Sequence, residues 1–263
     1  MNPTERSMTL CQEWATRQLS DYDARQPGTI FAEGVMLSIV EGYQLQSAVA
    51  ELRHQRGERI IGYKVGCTSP KIRSQLGIDH CVSGRLYDSE LHKSGAVLSR
   101  KEYANLAIEG ELAIELSREP TPEDFSEMKL PACVACLFPV VELHNLVMQG
   151  EQPSAGELIA HNALHAGIVR ATGISPEEAS GETSLAIFAN AQLLEECRGP
   201  SLIQTIHTSL KWLMEMMRTR DDRLCAGQII LTGSIPSLIP IEEDCHIHVE
   251  APPFGRVEVE FTT

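Results

Sequence analysis

Glu109 and Glu111 stand two residues apart in the largely apolar stretch running from Asn105 to Leu116. Side chains alternate between the faces of a strand, so both carboxylates point the same way, roughly 7 Å apart. In an element this apolar they would be buried, and uncompensated buried charge is costly. A cation between them answers that cost, and a dication such as Mg²⁺ takes carboxylate oxygens while keeping open positions for a substrate. From this pair alone the alternative is an edge strand with both Glu facing solvent. Glu142 repeats the pattern at the end of the apolar run that starts at Leu137, with a strand-end residue turning to solvent as its own alternative. Lys64 is a cation inside Ile60 to Gly66, and lysines are seldom buried unless paired. Lysines are also common at strand edges. Three carboxylates and one lysine in a single core would partly compensate one another.

The elements that must position these groups are legible in the periodicity. Apolar residues recur at helical spacing over 9–25 and 35–55. In the second stretch Met36, Ile39, Val40 and Tyr43 form one stripe, and Leu45, Ala48, Val49 and Leu52 form another on the opposite side. The β-branched and aromatic run 59–66 reads as a strand, followed by a helix over 70–76 with Ser69 as its cap, Pro70 at its first position and Gly77 at its end. Strands are expected near 84–88, 96–99, 107–117, 133–143, 166–172, 184–189, 191–196, 228–232, 245–250 and 255–261. Helices are expected at 121–128, 154–164 and 200–218. The pattern is an α+β, β-rich chain with a helical part over 1–57 and a β-rich catalytic part over 58–263, with no internal repeat.

The chain has 263 residues, 43% hydrophobic and 22% charged, which suits a globular protein with a sizeable core. Lys and Arg number 22 against 36 Asp and Glu, a formal charge of −14 that offers no footprint for phosphate backbones or anionic membranes. Eight dispersed cysteines are expected to be thiols of a reducing cytoplasm. Cys133 and Cys136 form a C-x-x-C without a second ligand pair, so buried structural thiols are expected over a redox or zinc site. The amino terminus lacks the pattern of a signal peptide, and no apolar run approaches about 18 residues.

Several blocks in order then resemble the 2-hydroxypentadienoate (2-keto-4-pentenoate) hydratase and 4-oxalocrotonate decarboxylase branch of the fumarylacetoacetate hydrolase superfamily. They are Glu41 to Gln46, Gly62 to Pro70, Leu76 to Asp79, Gly84 to Tyr87, Ile108 to Ala113, Pro139 to Glu142, Ala160 to Ala163, Gly227 to Gly233 and Gly255 to Val257. The resemblance implies a mixed β-roll like that family's C-terminal domain, with a smaller helical N-terminal part. It implies a divalent metal, Mg²⁺ or Mn²⁺, on Glu109, Glu111 and Glu142, with Lys64 and Asp79 as acid/base residues. Thr232, Gly233, Ser234 and Asn162 would line the substrate pocket. The implied reaction adds water to a 2-hydroxy-2,4-dienoate, giving a 4-hydroxy-2-oxo acid by way of a metal-bound enolate. Such an enzyme serves aromatic-hydrocarbon catabolism. Its expected partners are the small 2-oxo or 2-hydroxydienoic acid, further copies of itself in a homo-oligomer, and a paralogous decarboxylase or hydratase.

Lys64 beside a dication would have its pKa lowered and exchange protons near neutrality. The same site could instead decarboxylate an oxalocrotonate-type 2-oxo diacid. An acylpyruvate hydrolase and a non-catalytic binding subunit are further alternatives. The pattern departs at His161-Asn-Ala-Leu-His165, where His161 replaces the family's Asp, and in the loop Ser234 to Pro240. His161 and His165 at helical spacing lack the Glu of a zinc motif, so surface or pocket-lining roles are expected for them. His80, Cys81 and Arg85 flank Asp79, with substrate contact and surface or packing roles both open.

Overall fold

The computed structural model describes residues 3–149, 154–234 and 237–263. Helices come first: α1 (Pro3–Asp23), the four-residue α2 (Thr29–Ala32) and α3 (Ile39–Gln55). A capping box starts α3, where the Glu41 N–H donates to Ser38 Oγ and the Ser38 N–H donates to Glu41 Oε2, so two end donors are satisfied. Then follow β1 (Ile60–Gly66), α4 (Pro70–Leu76), β2 (Val82–Tyr87), β3 (Leu91–Lys93), β4 (Ala96–Ser99) and the long pair β5 (Leu106–Leu116) and β6 (Val134–Asn145). The rest is α5 (Ala155–Ala160), β7 (His165–Arg170), β8 (Ser184–Ala189), β9 (Gln192–Arg198), α6 (Ser201–Arg218), β10 (Ile229–Leu231), β11 (Ile239–Pro240), β12 (Cys245–Glu250) and β13 (Arg256–Thr262).

The strands make two sheets. One has the order β2-β1-β10-β5-β6-β7-β3, with β11 also paired to β5; the other runs β4-β13-β12-β8-β9. Alternation along β5 assigns its faces. A Cβ on Gly110 would stand 2.7 Å from Ile187 of β8, so the even-numbered residues of β5 face the second sheet. Ile108, Leu112, Ile187, Ile247, Val249 and Phe261 share the buried core on that side. Glu109 and Glu111 take the opposite face.

The helical part is tied to the sheet by α3. A Cβ on Gly42 would stand 2.5 Å from the Gly156 carbonyl oxygen, so only glycine lets α3 approach α5 this closely. Tyr43 Oη accepts from the Ser83 N–H at 3.0 Å, and Gln46 Nε2 donates to the carbonyls of Ser83 and Ile159. These contacts account for the Glu41 to Gln46 block. On α6, Leu202, Ile206, Leu210, Leu213, Met214 and Met217 are buried, as the spacing predicts.

The expected α+β, β-rich class is the observed one. Two expected helices are shorter. The 121–128 segment keeps only a 3₁₀ turn at Pro122–Phe125. The 154–164 helix stops at Ala160, because Asn162, Ala163 and Leu164 take left-handed φ values of 55°, 52° and 63°. No helix among the described residues is long and apolar enough to cross a membrane. The cysteines are unpaired, and burial pushes the Cys133 thiol up to about 11 and the Cys136 thiol up as well.

Candidate active site

Register brings the carboxylates together. Glu109 of β5 pairs directly with Glu142 of β6, so two like charges share one face. That juxtaposition is destabilising unless cations answer it. Lys64 is one such cation: its Nζ lies 3.1 Å from Glu142 Oε1 and donates to the Ala163 carbonyl at 3.2 Å. It reaches across because β10, which separates β1 from β5, ends at Leu231, level with Lys64. The left-handed turn 162–164 presents the Ala163 carbonyl. Non-glycine residues in this region cost of order 1–3 kcal/mol each and cluster at functional sites.

Two histidines complete the group. His165 Nδ1 donates to Glu142 Oε1 at 2.7 Å. His144 Nε2 lies 3.3 Å from Glu109 Oε2 and 3.4 Å from Glu142 Oε2. Burial opposes charge on Glu142, but Lys64 and His144 outweigh it and hold the carboxyl well below its ordinary range. Glu111 goes the other way: burial, then Glu142 and Glu109, push its carboxyl well up, although the Gly233 N–H donates to its Oε2 at 3.0 Å. Burial lowers Lys64, yet Glu142, Glu109 and Glu111 together raise it on balance. The expected lowering of Lys64 is therefore not produced by the protein's own charges.

The arrangement fits a dication. Glu142 Oε2 and both ring nitrogens of His144 are buried without a hydrogen-bond partner, beside Glu109 Oε2. Among the described residues, Glu109, Glu142 and His144 form the group whose ligand atoms lie within 4.8 Å of one another. Glu111 adjoins that group without being part of it. A cleft of about 670 Å³ opens on the cluster, lined by Lys64, Glu109, His144, Gly233 and Ser234, with Lys71 of α4 at its edge.

Other expected site residues are placed differently. Asp79 follows α4 with its carboxylate 98% exposed, and it does not line the cleft. Thr232 is buried with its hydroxyl donating to the Leu112 carbonyl, so it supports β5 instead of facing the cleft. Asn162 is pinned to β2, its Oδ1 accepting from the Arg85 N–H and its Nδ2 donating to the Arg85 carbonyl. His161 does not pair with His165, because the left-handed turn separates them; it packs on Phe31 of α2 at 5.0 Å between ring centroids. Ile235 and Pro236 of the loop after Ser234 lie outside the described residues. His144 was not singled out by sequence, although its i, i+2 spacing from Glu142 on a strand is the signal that singled out Glu111.

No known protein-family profile matches the chain. It is 24% identical over 224 residues to the 2-keto-4-pentenoate hydratase of Burkholderia vietnamiensis strain G4, covering 84% of this chain and 85% of the relative. It is 20% identical over 259 residues to the 4-oxalocrotonate decarboxylase of Pseudomonas putida, covering 98% and 97%. Among solved structures, the 4-oxalocrotonate decarboxylase from Pseudomonas putida G7 complexed with magnesium and adipate superposes with a TM-score of 0.84 at 19% identity, covering 100% of this chain and 99% of that one. Fumarylpyruvate hydrolase from Pseudomonas aeruginosa, in complex with Mn²⁺ and pyruvate, gives 0.59 at 11% identity, covering 76% and 88%. The fold is the one these solved structures share. The resemblance to the hydratase and decarboxylase branch of the fumarylacetoacetate hydrolase superfamily holds, and the relatives bear the names of enzymes.

Proposed function

We propose that the protein is a divalent-metal-dependent hydratase that adds water to a 2-hydroxy-2,4-dienoate to give a 4-hydroxy-2-oxo acid. The observation that supports this most is the buried Lys64 amine set among Glu142, Glu109 and Glu111 at the floor of a cleft sized for a small acid. Glu109 and Glu142 would hold the ion, Mg²⁺ or Mn²⁺, with Glu111 beside them. When bound, the dication supplies an electrophile for the substrate carboxylate and 2-oxygen and offsets the carboxylate field on Lys64.

The chain's own groups account for the proton traffic. Glu142, Glu109 and Glu111 raise Lys64 in the metal-free protein, and a bound dication would offset that field, so Lys64 Nζ would pass a proton to or from the substrate. It would serve the proton transfers of two steps: the dienol loses its 2-hydroxyl proton and gains one at C5 to become the 2-oxo-3-enoate, and water then adds its hydroxyl to C4 and a proton to C3. The Ala163 carbonyl fixes the direction of the amine. Ser234 stands on the cleft wall with its hydroxyl donating to the Gly110 carbonyl at 3.2 Å, and its assignment to the substrate pocket is part of this proposal. Asp79 acts as a second acid/base residue only if the segment carrying it folds inward, since its carboxylate points to solvent. Cytoplasmic location, aromatic catabolism and assembly as a homo-oligomer or with a paralogous decarboxylase belong to the same proposal.

Decarboxylation of an oxalocrotonate-type diacid is the second reading. Lys71 at the edge of the cleft favours it, because an exposed amine there suits a second carboxylate. Purified protein with Mg²⁺ or Mn²⁺ should convert 2-hydroxypenta-2,4-dienoate to 4-hydroxy-2-oxopentanoate. No turnover of the dienoate, with carbon dioxide released from the diacid, would replace the first reading with the second.

A further inference from the structure

We propose that His144 is itself a metal ligand, so that the centre is a mixed nitrogen and oxygen site of Glu109, Glu142 and His144 that prefers a transition dication to Mg²⁺. This rests on the divalent-metal reading above. The two oxygens of Glu142 divide their duties. Oε1 is taken by Lys64 at 3.1 Å and His165 at 2.7 Å. Oε2 is buried without a hydrogen-bond partner and faces His144.

His144 is 3% exposed in its side chain; its Nδ1 is buried without a partner, and its Nε2 makes no well-aligned hydrogen bond, facing only the carboxylates of Glu109 and Glu142. Leaving such buried polar atoms unpaired costs about 1–3 kcal/mol each, so the arrangement calls for a ligand. Its Nε2 stands 3.3 and 3.4 Å from the two carboxylate oxygens. Adjacent ligands about 2.1 Å from one ion are themselves about 3.0 to 3.4 Å apart, so His144 Nε2 already stands at ligand spacing from each carboxylate, and the three donors lie within 4.8 Å of one another. Glu111 differs in having its Oε2 engaged by the Gly233 N–H. Strand pairing explains how His144 arrives: it lies two residues beyond Glu142 on β6, on the same face, beside the Glu109 row.

Imidazole in place of a carboxylate lowers the negative charge of the shell and suits Mn²⁺, Fe²⁺, Co²⁺ or Zn²⁺ better than Mg²⁺, which favours oxygen. The test uses the full chain stripped of metal. Pulsed electron paramagnetic resonance of the Mn²⁺-loaded protein should show ¹⁴N coupling from a directly bound imidazole. The coupling should vanish in His144→Ala and persist in His165→Gln. Equilibrium dialysis should show Co²⁺ binding more tightly than Mg²⁺ by at least about 100-fold, a preference that His144→Ala reduces by about tenfold or more. Bound Mn²⁺ without nitrogen coupling in the unmodified protein overturns the proposal even if His144→Ala does not fold, and leaves the metal-dependent function standing. Coupling lost only in His165→Gln overturns it as well. Failure to bind Mn²⁺, Co²⁺ and Mg²⁺ alike overturns both.

Discussion

Lys64 and Glu142 form an ion pair at 3.1 Å in which the side chains are 4% and 0% exposed. Breaking a buried pair from one side leaves the other charge uncompensated, at about 3–5 kcal/mol. Lys64→Met should therefore lose about that much stability to urea. Lys64→Met combined with Glu142→Gln should lose clearly less than the sum of the two single changes. Additive losses would mean that the pair does not hold the site together.

Glu111 carries the opposite sign. Burial and the neighbouring Glu142 and Glu109 raise its folded pKa above the unfolded value, so its contribution favours folding at low pH and is lost as pH rises through the folded pKa. In metal-free protein at pH 7, Glu111→Gln should raise the melting temperature, and the gain should disappear below about pH 4.5. A lower melting temperature at pH 7 would contradict the assignment of Glu111 as a charge held at a cost.

His161 predicts an acid limb. Burial lowers its pKa to about 4, so the stability it contributes is complete above the unfolded value near 6.5 and is lost as pH falls toward 4. The full effect is about 3 kcal/mol at most. Urea unfolding of His161→Leu between pH 4 and 6.5 should show a flatter dependence than the parent; identical slopes would remove His161 as the cause.

Much of this was legible in the sequence because strand alternation is a strict rule. It put Glu109 and Glu111 on one face, flagged Glu142 and Lys64 as charges in apolar runs, and located nearly all of the long strands. The same rule applied to Glu142 would have reached His144, a residue easily passed over because histidine is common on half-buried strands. Periodicity does not report the left-handed turn at 162–164, which ends the helical spacing of His161 and His165 and turns Asn162 onto β2. Nor does it report side-chain direction in irregular segments, and so Asp79 was expected beside Lys64 while the fold leaves it in solvent.

Gly84 tests the positioning of Lys64 from the side. A Cβ there would stand 2.5 Å from the Asn162 carbonyl oxygen and 3.0 Å from Lys64 Cγ. Gly84→Ala should lower kcat by about tenfold or more, because a displacement near 1 Å at a reacting group has effects of that order or larger. Unchanged kinetics would show that Lys64 does not need its observed position.

The most direct measurement is turnover of 2-hydroxypenta-2,4-dienoate by purified protein before and after chelation, with and without Glu109→Gln. Activity should be lost on chelation, return with Mn²⁺ or Mg²⁺, and fall by at least about 100-fold in Glu109→Gln. Turnover that survives both chelation and Glu109→Gln would contradict a metal centre at the Glu109 and Glu142 pair.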